Sequence, residues 1–147
     1  MKKLFSLIIV MLSLNFISKA QESVIPNPDP NAADIKFESE VIDFGTIEWD
    51  ANGLREFKFT NAGKSPLTIT SVSGECGCTA TTIDGKPGWP QEPILPGKSG
   101  VIKVKYDTKR EGRFEKNVTV TSNSKYSTKK IRIKGEIKAK PVATEGN

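Results

Sequence analysis

The sequence predicts an all-β chain, an immunoglobulin-like antiparallel β-sandwich of about seven strands, and three observations carry that expectation. From Ile35 onward apolar residues recur at a period of two, in short runs broken by Gly, Asn, Asp and Pro. The runs alternate a dry face with a wet one and follow each other at roughly ten-residue spacing, the pattern of antiparallel sheets packed face to face. Past the first twenty residues no window carries a helical apolar stripe.

The opening text, "MKKLFSLIIVMLSLNFISKA", has a basic start at Lys2 and Lys3, an apolar run from Leu4 to Ile17, and small residues Ser18 and Ala20. That is the anatomy of an export signal peptide over residues 1–20, cleaved before Gln21. Ser6, Ser13 and Asn15 interrupt the run, which is shorter than the ~20 residues of a spanning helix, so no membrane span is expected after cleavage. No cysteine stands at the cleavage point to take a lipid. The expected location is periplasmic or secreted. Removing the leader takes three lysines and no acid, which lowers the net charge from +5 to +2. A balance so near neutral does not indicate a nucleic-acid partner.

Residues 21–34, "QESVIPNPDPNAAD", carry three prolines and little to bury, and read as an extended spacer. The sandwich domain is expected over residues 35–138 and a flexible tail over 139–147. Ile35 and Phe37, then Val41 to Phe44, make an opening strand with a break. Phe57 and Phe59 alternate with Lys58 and Thr60 before the turn "NAGKSP". Leu67 and Ile69 follow, with Val72 one step out of phase as a bulge would place it. Ile102, Val104 and Tyr106 alternate with Lys103 and Lys105; Phe114, Val118 and Val120 with Glu115, Thr119 and Thr121. Ile131, Ile133 and Ile137 close the series, with Gly135 marking a bulge or close packing. Asp84 to Gly100, with four prolines and four glycines, does not alternate and reads as a long ordered loop around Trp89.

Candidate chemistry centres on "SGECGCTATT", which holds both cysteines of the chain. In a plain strand the Cα atoms of Cys76 and Cys78 would stand about 6.6 Å apart, wider than the ~5.5–6 Å that suits a disulfide. A tight turn at Gly77 would close that gap. Three readings stay open: a local disulfide or packed thiols, a thiol-redox pair, and a soft-metal clip. Divalent zinc needs four ligands, and the chain has no histidine, while both methionines lie in the leader. The spacing is one residue short of the Cys-x-x-Cys of thiol oxidoreductases, and Glu75 beside the pair disfavours thiolate.

Lack of histidine also removes Ser-His and Cys-His catalysis, and no phosphate-binding glycine loop is present. No catalytic residue and no cofactor is expected. Trp89 reads either as a loop anchor or as an aromatic contact for a ligand. The row Lys130, Arg132 and Lys134, continued by Lys138, reads either as protection of a sheet edge or as a contact for an anionic surface or glycan. "NVT" from Asn117 fits the N-glycosylation pattern but falls within a strand.

The blocks "DFGTI", "FKFTNAGKSPLTITSV", "CGCT", "LPGKSGVIKVKYD", "GRFEKNVTVTSN" and "IRIKGEI" together resemble an exported immunoglobulin-like family of unknown function, family 1573. That family is distantly similar to hydin-type and major-sperm-protein-type domains. The resemblance implies an exported sandwich without an assigned catalytic activity. "GKPGWPQEP" looks longer than the family's loop. The expected role is thus a non-enzymatic module for protein–protein or surface interaction or scaffolding, with an unidentified protein or cell-surface partner. The alternative is a thiol-redox or soft-metal module built on Cys76 and Cys78.

Overall fold

In the computed structural model, which describes residues 29–142, the two-residue alternation resolves into two four-stranded sheets and one small hairpin. In chain order the strands are β1 (Ile35–Phe37), β2 (Val41–Ile47), β3 (Leu54–Asn61), β4 (Ile69–Gly74), β5 (Thr79–Ala80), β6 (Thr82–Ile83), β7 (Lys86–Pro87), β8 (Ser99–Tyr106), β9 (Gly112–Ser122) and β10 (Thr128–Ile137). Seven of them have three residues or more, the number the alternation predicts; β5, β6 and β7 are two-residue pieces. One sheet runs β1-β3-β8-β5 and the other β2-β10-β9-β4. The expected signal peptide, the first part of the expected spacer and residues 143–147 of the expected tail lie outside the described residues.

One expectation is corrected. The sheets are not wholly antiparallel, because β2 runs parallel to β10, with Val41 opposite Arg132 and Ile47 opposite Ile137. The opening strand breaks after Phe37, its first half pairing with β3 and its second half crossing to the other sheet. Period-two patterning reports which face is buried and carries no information on strand direction. Residues before Ile35 also pack on the sandwich. Ala32 and Ala33 are buried, Ala33 bridges Ser124, and the Ser65 hydroxyl donates to the Asn31 carbonyl at 2.6 Å.

The core lies between the sheets. Phe57, Phe59, Ile102 and Val104 meet Val118, Val120, Ile131 and Ile133, all essentially without exposure. Burying each such side chain stabilises by about 1.5–3 kcal/mol. The Phe59 ring lies over Gly100, its cross-strand partner; a Cβ built there would stand 2.6 Å from Phe59 Cζ. Gly135 does both things its position suggests. The β2–β10 register shifts between Lys134 and Glu136, and the Phe44 Cβ approaches within 2.8 Å of where a Gly135 Cβ would be. The phase slip around Val72 coincides with a register shift between Ile69 and Ser71 against β9.

One buried polar side chain organises an end of the sandwich. Asn61 is fully buried, and its amide donates to the carbonyls of Ser65 and Ile94, each at 2.8 Å. Its oxygen accepts from the N–H groups of Gly63 at 3.0 Å and Asp34 at 3.3 Å. All of its hydrogen-bonding capacity is used, the condition under which a buried amide stabilises rather than destabilises.

Candidate functional site

The cysteine pair sits on the crossing between the two sheets. β4 ends at Gly74 beside Val118, and β5 begins with Thr79 opposite Tyr106 in the other sheet. The chain makes this passage through a turn closed by the Thr79 N–H donating to the Cys76 carbonyl at 3.0 Å, while the Asp107 N–H donates to the Cys78 carbonyl at 2.9 Å. The turn brings the two Cα atoms to 5.2 Å, and Cys76 and Cys78 are joined in a disulfide. Gly77 is not in the left-handed region, and nothing would obstruct a Cβ on it. The closing of the gap is therefore an ordinary turn, and the conformational freedom of glycine is not what permits it.

The surroundings of the pair are structural. Cys78 is buried and Cys76 half-buried against the core, and the Thr79 hydroxyl lies 3.7 Å from one sulfur and 3.9 Å from the other. Glu75 is turned away to Asn117, accepting from its backbone N–H at 2.8 Å and its side-chain amide at 3.1 Å. That backbone hydrogen bond, with help from the charges of Lys116 and Lys130, holds the Glu75 carboxyl below the usual carboxylate range. It also occupies the Asn117 amide of the "NVT" pattern. Among the described residues no group of three or more Cys, Asp or Glu side chains is placed to hold a metal ion. Tyr106, whose burial raises its phenol pKa, stacks on Phe114 at 3.9 Å, and Phe114 meets Phe44 edge-on at 5.2 Å. The Arg55 guanidinium covers Phe44 at 3.9 Å and closes this side of the sandwich.

The row Lys130, Arg132 and Lys134 does not guard a sheet edge, since β10 lies between β2 and β9. It lies on the outer face, where acids of the neighbouring strands answer it. Arg132 pairs with Glu115 at 2.5 Å, Lys134 with Asp43 at 3.4 Å, and Lys138 with Glu48. Lys130 faces the same way, and its charge acts on Glu75. Asp43 also accepts from the Gly45 N–H at 2.8 Å, which with the Lys134 charge lowers its pKa. This face is close to neutral.

The opposite sheet differs. Lys36, Lys58, Lys103 and Lys105 point outward between buried neighbours. Lys103 pairs loosely with Glu56 at 3.8 Å, whereas Lys36, Lys58 and Lys105 form no ion pair with any described residue. Glu38, opposite Lys58, is the other acid beside this row. The long loop also contains structure that periodicity missed. β6 and β7 form a hairpin over Asp84 and Gly85, both at positive φ (51° and 75°). Asp-Gly is the residue pair that a two-residue type I′ turn selects, so the signal was legible. Gly88 fastens the hairpin to the sheet, donating to the Thr81 carbonyl at 2.8 Å and accepting from the Lys103 N–H at 2.6 Å. Trp89 is half-buried against the core and lines an open depression with Pro87, Val101, Lys86, Lys103 and Asp84.

The fold recurs in solved structures. A protein of unknown function from Porphyromonas gingivalis aligns with a TM-score of 0.58 at 17% identity, over 71% of this chain and 46% of that one. PapD-like domain 7 of human CEP192 aligns with a TM-score of 0.57 at 12% identity, over 78% of this chain and 93% of that domain. The secreted serine protease VesC of Vibrio cholerae aligns with a TM-score of 0.55 at 14% identity, over 74% of this chain and 24% of the protease. This chain thus spans about half the length of the Porphyromonas protein and a quarter of the protease. At such identities the likeness is one of fold. No curated protein matches the sequence. A family model does match, over residues 35–137, which takes in both sheets and the cysteine turn, and the chain belongs to the family described as protein of unknown function (DUF1573).

Proposed function

We propose that the protein is an exported, non-catalytic β-sandwich module that makes contacts at the cell surface or in the periplasm. The observation that carries this reading is the contrast between its faces: one sheet neutralises its outward cations with neighbouring acids, and the other leaves three lysines without a partner. Unpaired outward charge costs solubility nothing and gives a partner something to meet. The ionisable groups displaced from their ordinary pKa, Asp43, Glu75 and Tyr106, are displaced by backbone hydrogen bonds or burial, and they share no cleft. The basic, apolar leader and the proline-rich segment behind it support export.

The test has two parts, both on the chain expressed in its own host. Intact mass of the exported fraction should lack residues 1–20, and the mature chain should be retained on washed cells or envelopes. A chain that keeps its leader inside the cell, or that washes off freely, refutes the reading.

A further inference from the structure

The outer face of the β1-β3-β8-β5 sheet has a chemistry that specifies more than an interaction, and its assignment rests on the contact-module reading above. We propose that this face binds an acidic polysaccharide, with the depression beneath the β6–β7 hairpin seating one sugar ring.

The depression supplies the two kinds of contact that a charged sugar needs. Trp89, Pro87 and Val101 supply apolar lining against which the C–H face of a pyranose packs. Lys86 and Lys103 stand at its margin to pair with a carboxylate or sulfate of the ring. Asp84, which forms no ion pair with a described residue, is an acceptor for sugar hydroxyls. Beyond the depression, Lys103 and Lys105 lie two residues apart on one strand face, about 6.6–6.8 Å along the strand. Lys58 lies on the adjacent strand and Lys36 on the next. An extended polyanion laid across the sheet therefore meets ammonium groups repeatedly, with the carboxylates of Glu38, Glu56 and Asp84 among them.

The rival partners lack what they would need. An acidic peptide adding as a strand requires free edge groups. The edges of this sheet, β1 and β5, are three and two residues long, too short for an added strand to hold by its main chain. An anionic lipid surface would call for large exposed apolar side chains among the lysines. Those exposed among the described residues, Val41, Leu95, Tyr126 and Val142, belong to no strand of this sheet.

The experiment titrates the full chain, expressed with its own leader and purified after export, with polygalacturonate at low ionic strength. Neutral dextran, poly-L-glutamate and phosphatidylglycerol vesicles are the comparison arms. Polygalacturonate should bind and the other three should not, and added salt should weaken binding as screening of exposed charge requires. Lys58→Glu combined with Lys103→Glu should weaken it by at least about tenfold. Lys134→Glu, an exposed lysine on the outer face of the other sheet, should leave it within about twofold. Both reversals set like charges beside acids, Glu38 and Glu56 in the first and Asp43 in the control, so both proteins should melt cooperatively a few degrees below the parent while only the first loses binding. Equal binding to poly-L-glutamate or to vesicles overturns the polysaccharide assignment, as does binding indifferent to the Lys58/Lys103 reversal. Failure of polygalacturonate to bind overturns it too, while retention on cells, measured separately, still decides whether the protein is a contact module.

Discussion

Replacing Gly100 by alanine should destabilise the protein when Phe59 is present and stabilise it when Phe59 is gone. A Cβ at Gly100 would lie 2.6 Å from Phe59 Cζ and 3.0 Å from Cε1, with Ile94 Cδ1 at 3.2 Å. Phe59 is fully buried, so its ring has nowhere to retreat. Overpacking of this kind costs about 1–3 kcal/mol. Gly100 has no positive φ, so alanine also restrains the unfolded chain, which returns about 0.4–1 kcal/mol. The net cost of Gly100→Ala is thus about 1–2 kcal/mol. Phe59→Ala alone should cost about 3–5 kcal/mol through lost burial and a cavity. In that background the new methyl faces the cavity, and both its burial and the unfolded-state gain favour it, by roughly 1 kcal/mol together. The coupling energy is then about 2–3 kcal/mol, well above the scatter of independent sites. Urea unfolding followed by Trp49 and Trp89 fluorescence measures all four corners of the cycle. Additivity within about 0.5 kcal/mol would refute the ring-over-glycine account of this core.

Three further outcomes follow from the same structure. Asn61→Ala should cost about 2–4 kcal/mol, because the Gly63 and Asp34 N–H groups and the Ser65 carbonyl each lose a partner; a loss below about 1 kcal/mol in urea melts would show that water replaces them. Arg55→Lys should be destabilising nearly as much as Arg55→Ala, about 1 kcal/mol, because a guanidinium plane and not a point charge lies over Phe44; full retention by lysine counts against it. Asp43 and Glu75 have native pKa values below their ordinary ones, so their stabilising effect is complete above the ordinary carboxylate range and is lost as pH falls through the depressed values. The urea midpoint should fall over that window, and Glu75→Gln should flatten part of the fall; an unchanged acid limb in this variant excludes the Asn117 contact as its source.

The fold class was legible because burial alternates almost without error in β3, β8, β9 and β10, where Phe57, Phe59, Ile102, Val104, Val118, Val120, Ile131 and Ile133 all face inward as the spacing requires. Strand partners were not legible, and two readings suffered for it. The parallel pairing of β2 with β10 places β10 inside its sheet, which removes the edge that one of the two readings gave Lys130, Arg132 and Lys134 to guard. The same pairing brings Asp43 to Lys134, and β9 brings Glu115 to Arg132, contacts between residues 91 and 17 positions apart that periodicity does not encode. Asn61 was invisible for a related reason, since it reads as part of a polar turn and two of its partners, Asp34 and Ile94, lie 27 and 33 positions away. The hairpin over Asp84 and Gly85 was written in the sequence as an Asp-Gly pair, but the surrounding prolines hid the short strands on either side.

The cysteine pair shows how a conspicuous motif can serve the scaffold. A bond between residues two apart closes a loop of three residues, for which the chain-entropy relation gives about 1.6 kcal/mol, against about 3 kcal/mol for a fifteen-residue loop. A small restraint of that kind matters most where the backbone must do something specific, and here the turn carries the chain from β4 in one sheet to β5 in the other. Cys78 is buried against the core and both neighbouring carbonyls are held by backbone N–H groups, so the turn persists through several contacts besides the bond. Replacing both cysteines by serine should therefore cost about 1–2 kcal/mol and leave the fold intact. Gly77→Ala should leave the bond formed, because its φ is not left-handed and open space surrounds its Cα. Free-thiol titration and mass mapping of the purified chain check both statements. Free thiols in the Gly77→Ala protein, or unfolding of the double serine variant, would mean that glycine or the bond, and not the surrounding hydrogen bonds, sets the crossing between the sheets.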